Sequence, residues 1–101
     1  MYFLEIKSGM NLEQSEILAL KALTYIAGDE KALSWLMAET GLGPADLLRQ
    51  AENPETLAGV LDFLLGHENI LIDFCNAEGM DSSQPARARR YLPGAPDEEF
   101  Y

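Results

Sequence analysis

The sequence predicts an all-α protein: a compact bundle of five or six short helices around one core. Three observations carry that expectation. Apolar residues recur at helical spacing along most of the chain. Each periodic run is bounded by a capping residue, a glycine or a proline. Only residues 2–7 alternate in the manner of a half-buried strand. With 101 residues, 48% of them apolar, the chain has material for one modest core and no second one. The expected division is an N-terminal extension over residues 1–10, a helical domain over 11–94 and an acidic, aromatic tail over 95–101.

The first helix is expected to start after Asn11 as N-cap, with Glu13 and Glu16 in its first turns, where they suit the helix dipole. Leu12, Leu18, Ala19, Ala22, Leu23 and Ile26 form its apolar stripe, and Gly28 stops it, by expectation in the left-handed conformation. Asp29 caps a second helix carrying Leu33, Trp35, Leu36 and Met37, which ends at Thr40-Gly41. Pro44 sits where a first-turn proline costs no hydrogen bond and opens a short third helix through Leu47 and Leu48. Asn53-Pro54 repeats that pattern and starts a fourth helix with Leu57, Val60, Leu61 and Leu64 on its stripe, stopped by Gly66. A fifth carries Ile70, Leu71, Phe74 and Ala77 before Gly79. Ser82 or Ser83 caps a sixth, running through Ala86, Ala88, Tyr91 and Leu92 to Pro93-Gly94.

Sliding the chain against itself by 38 residues aligns Leu23 with Leu61, Gly28 with Gly66, Glu30 with Glu68, Leu33 with Leu71, Leu36 with Phe74 and Gly41 with Gly79. Glycine stops and leucine stripes are common, so chance and internal duplication both explain such a register. In either case each half is a long helix, a tight glycine turn and a shorter helix. Neither half buries its stripe alone, so the two should pack face to face.

The segments Leu18-Ala19-Leu20-Lys21-Ala22-Leu23, Thr40-Gly41-Leu42-Gly43-Pro44 and Val60-Leu61-Asp62-Phe63-Leu64-Leu65, with the terminal Ala88-Arg89-Arg90-Tyr91-Leu92-Pro93-Gly94, carry a resemblance. Over residues 12–94 the chain resembles a family of small all-helical bacterial proteins, chiefly alphaproteobacterial, that forms a domain of unknown function. The resemblance implies a helical cytosolic protein and supplies no catalytic residue. Met10 offers a second start position, with residues 1–9 outside the native fold.

The formal net charge is −10, and all of the excess lies before Pro85. Such a field repels phosphate backbones and anionic membranes, so nucleic acid and membrane are not expected partners. The acidity either serves solubility or meets a basic protein. The N-terminus lacks the basic start and long apolar run of a secretion signal, and Cys75 is the single cysteine; a cytoplasmic location is expected.

No catalytic constellation emerges, and no cofactor or metal is expected. His67 lacks companions at metal-ligand spacing and reads as a helix-end residue, while Cys75 reads as a small buried hydrophobe. Arg87, Arg89 and Arg90 are the one concentration of positive charge: a candidate contact for an anion, an acidic partner or the acidic face of a second copy, or basic residues that suit a helix C-terminus and pair with the acidic body. Ile17 and Tyr25, off the first stripe, and the terminal Phe100 and Tyr101 are candidate interface residues. Trp35, Phe63, Phe74 and Tyr91 are candidate linings of a pocket between the hairpins. Two expectations follow. The first is a non-enzymatic interaction module with an acidic face, meeting a basic protein or a second copy as a homodimer. The alternative is a binder of a small apolar or acyl ligand.

Overall fold

The computed structural model describes residues 10–94. These form six helices with no strand among them: α1 (Leu12–Ala27), α2 (Glu30–Thr40), α3 (Pro44–Arg49), α4 (Pro54–Leu65), α5 (Glu68–Glu78) and α6 (Gln84–Arg89). The expected N-terminal strand or extension, and the tail with Phe100 and Tyr101, lie outside the described residues.

The starts follow their caps. Asn11 Oδ1 accepts from the Gln14 N–H at 2.7 Å, Asp29 Oδ1 from Lys31 and Ala32, and Asn53 Oδ1 from Glu55. At α3 the Asp46 carboxylate reaches back to the Gly43 N–H and also pairs with Arg49. Those bonds, the backbone one foremost, hold the Asp46 carboxyl below the usual aspartate range. Its contribution is therefore intact at neutral pH and disappears as the pH falls through that lowered value.

One helix stop departs from expectation: the left-handed conformation expected at Gly28 is not found. Gly28 and Gly66 are not left-handed; both keep right-handed backbone, at φ −81° and −85°, and their N–H groups still bond to the preceding turn. The chain turns one residue later, through extended Asp29 and His67. Gly41 and Gly79 do adopt the left-handed conformation, at φ 75° and 68°, where a side chain would be strained. The register found in the sequence is thus a backbone register: matched right-handed stops, matched extended caps, second helices of 11 residues each and matched left-handed ends.

α1 and α4 form the centre and pack on each other, α6 lies across both, α2 contacts both, and α5 rests on α4. Ala19, Ala22 and Ala58 are buried on the central pair, which lets the backbones come close, and Ile26, Leu57, Val60, Leu61 and Leu64 fill the space between. Leu36 of α2 and Phe74 of α5, the paired positions of the two halves, are both fully buried. Three expected core positions are not in the core: Leu12 and Trp35 are exposed, as is Ala77. Leu12 opens its helix before the stripe reaches α4 or α6, and Cys75 takes the buried place on α5 instead of Ala77. The sixth helix ends at Arg89 rather than at Leu92; residues 90–94 form a turn that buries Leu92 and leaves Tyr91 half exposed.

Ser15 is fully buried on α1, and its hydroxyl has no hydrogen-bond partner. A buried donor left unpaired carries its desolvation cost without return. Ser15→Ala should therefore raise the unfolding free energy by about 1 kcal/mol, read as a higher urea midpoint at unchanged slope. A lowered midpoint would show that the hydroxyl is in fact satisfied in solution.

Candidate functional site

A groove lies between the end of α2, the end of α3 and the exposed side of α4. It has a volume of about 450 Å³ and is lined by Glu39, Thr40, Leu42, Gln50, Asn53, Glu55, Thr56, Gly59, Asp62 and Phe63. Its character is polar and acidic: three carboxylates face two amides and two hydroxyls, and Thr56 donates to Gln50 Oε1 at 3.1 Å. Gly59 lies in the interior of α4, where glycine costs about 1 kcal/mol relative to alanine. A Cβ at Gly59 would meet nothing within 4 Å, so packing within the chain does not require glycine there. What the glycine does provide is a stretch of bare helix backbone in the floor of the groove.

At one end of the groove sits the only histidine, beside the only tryptophan. The His67 ring lies between Phe63, centroid to centroid 4.3 Å, and Trp35, 5.6 Å away and nearly parallel. Its Nδ1 is 2.8 Å from the Phe63 carbonyl oxygen and its Nε2 3.0 Å from Glu39 Oε2. Lys31 Nζ stands 5.1 Å from the Trp35 ring in cation–π contact. Although His67 occupies the N-cap position of α5, its side chain caps nothing; it ties the α4–α5 corner to α2.

Asp62, in the lining of the groove, is held by Arg89. Its Nε and one terminal nitrogen donate to the two oxygens of Asp62, at 2.6 and 3.2 Å, and the other terminal nitrogen donates to the carbonyls of Leu92 and Pro93. Arg89 is only 8% exposed. It is therefore not a free surface cation: the guanidinium clasps α4 to the terminal turn, and Gly94, at φ 81°, bends that turn around it. Arg87 and Arg90 remain exposed.

The remaining candidates separate. Trp35 and Phe63 meet at His67, Phe74 is sealed in the core with Tyr25 edge-on at 5.6 Å, and Tyr91 stands on the terminal turn; the four do not converge on one cavity. Burial claims Phe74 because α5 turns that face, not Ala77, onto α4. Ile17 is 47% exposed and shares a shallow apolar depression with Leu20, Lys21, Thr24, half-buried Tyr25 and Glu78. The Cys75 thiol is buried, which pushes its pKa up, and the Asp81 charge adds to that; a thiol so placed is a poor nucleophile. Among the described residues, no group of three or more histidine, cysteine, aspartate and glutamate side chains could hold a metal ion. No helix of the described residues is long and apolar enough to cross a membrane.

Neither the His67 cluster nor the Asp62–Arg89 pair was foreseen from the sequence. Position 67 held one clue: histidine at an N-cap lacks the short side-chain acceptor found at Asn11, Asp29 and Asn53, so its ring is left for other contacts.

Among the described residues, fold and site together define six helices with an acidic groove between the two helical halves. Residues 12–95 match the family described as "Protein of unknown function (DUF3572)", and the chain belongs to that family. No curated protein and no solved structure matches the chain.

Proposed function

We infer that the protein is a non-enzymatic interaction module whose groove takes a basic segment of a protein partner. One observation carries this reading: Glu39, Glu55 and Asp62 line a groove whose floor, at Gly59, is helix backbone that the fold itself gives no reason to leave bare. A close-approaching main chain supplies that reason, and lysine or arginine side chains match Glu39 and Glu55 in sign, Asp62 being already held by Arg89. The net charge of −10 would speed such an encounter and make it salt-dependent. The Cys75 thiol is buried away from the groove, which leaves it no activated cysteine nucleophile.

The test is binding of a fluorescein-labelled hexa-arginine peptide at low salt, followed by anisotropy. Gly59→Leu, which fills the groove with a side chain the fold has room for, should weaken binding by about tenfold or more, a change of about 1.4 kcal/mol. Glu13→Gln, which removes an equal charge on α1 outside the groove, should leave affinity within about twofold. Gly59→Ala should retain the fold with a raised urea midpoint, by about 1 kcal/mol, which separates a blocked groove from a damaged one. Equal binding by wild type and Gly59→Leu would sink the reading, because the peptide would then be held by the overall charge alone.

A further inference from the structure

Every protein atom in polar contact with the His67 ring is an acceptor. The Phe63 carbonyl can only accept, and so can the Glu39 carboxylate when ionised. For both contacts to be hydrogen bonds both ring nitrogens must donate, which only the doubly protonated imidazolium does. With one proton gone, one of the two contacts sets a ring lone pair against an oxygen lone pair. The Phe63 carbonyl is fixed in the backbone of α4 and sits under the ring. Glu39 is the last residue but one of α2, about half exposed, and free to swing. The contact that breaks is therefore the one to Glu39.

We propose that His67 and Glu39 form a proton-controlled clip: the protonated ring holds Glu39 against the Trp35–His67 stack, and loss of the proton releases the carboxylate into the groove. Glu39 is the hinge between the two concavities, since it lines the groove and also the small depression formed by Trp35, Ala38 and His67. The charged groups on the elements packed there are Glu39 and Lys31 of α2, Asp62 of α4 and Glu68 at the start of α5. Lys31 is placed over Trp35, and Asp62 is bound by Arg89, which leaves Glu39 as the charge on the ring nitrogen. The sign follows directly. The clip is closed while the ring carries both protons and Glu39 is ionised, and it opens when the ring gives up the proton that faces Glu39.

That the released carboxylate strengthens the hold on a basic segment rests on the function proposed above; the clip itself does not. The chain provides its own probe, because Trp35 and His67 are each the only residue of their type. An imidazolium stacked on indole quenches its emission more than a neutral imidazole does. Trp35 emission from the full-length protein should therefore rise as the pH increases. The rise should vanish in His67→Gln. A flat wild-type profile would overturn the proposal, as would a rise that survives in His67→Gln. The hexa-arginine peptide, titrated at both ends of the transition, separates the two ideas. Failure to bind at either pH, with the Trp35 transition intact, would remove the groove's proposed role and leave the clip standing.

Discussion

Phe74→Ala is expected to lower the unfolding free energy by about 3–5 kcal/mol. The side chain is fully buried on α5, with the Tyr25 ring edge-on against it, so truncation loses both transfer free energy and the contacts around the cavity left behind. Domains of this size hold about 5–15 kcal/mol in total, so the variant should melt about 20 °C lower, at about 4–8 °C per kcal/mol. The informative comparison is Trp35→Ala. Tryptophan is the larger residue, yet Trp35 is 42% exposed and stacks on His67 from one side of a shallow depression. Its loss should cost less than half as much. Urea denaturation followed by far-ultraviolet circular dichroism reads both. A larger penalty for Trp35→Ala than for Phe74→Ala would mean that the core is not where this packing places it.

Arg89→Met is the second large effect, expected at about 2–3 kcal/mol. Methionine keeps the apolar stem and removes a guanidinium that makes bonds to Asp62, Leu92 and Pro93. The penalty stays below that of a fully buried broken pair, because the Asp62 side chain is 59% exposed and hydrates once released. Asp62→Asn should cost only about 1 kcal/mol, since Arg89 retains the two carbonyls and a neutral acceptor. The asymmetry between the two variants is the diagnostic result. Equal, small losses would show that the terminal turn is not held by this residue.

Much of the fold was legible in the sequence because helix starts and stops are local events. Asn11, Asp29 and Asn53 cap the helices they precede, and each does so with its own side chain within three residues. The pairing of two similar halves was legible for the same reason: it rests on glycine and leucine positions that repeat along the chain. What misled was equally local. A glycine after a leucine stripe reads as a left-handed stop, and at Gly28 and Gly66 the choice of backbone depends on the turn that follows. Exposure of Leu12, Trp35 and Ala77 could not be read either, because a stripe shows which face is apolar and not how far along the helix the neighbour extends.

The site was hardly legible at all. Arg89 looked like one of three equivalent surface cations, and its partner Asp62 lies 27 residues away with no spacing rule to connect them. His67 looked inert at a helix boundary, and nothing in its neighbourhood names Glu39 or Trp35 on another helix. By itself, then, the sequence determined the all-helical class, the capped helix starts, the acidic charge and the face-to-face packing of two halves, because each follows from backbone preference or summed composition. Only the tertiary structure decided which arginine is buried, which aromatic is core and which carboxylate meets the histidine. Those are contacts between residues far apart in the chain, and they exist only after α1 and α4 have set the distance between all the others.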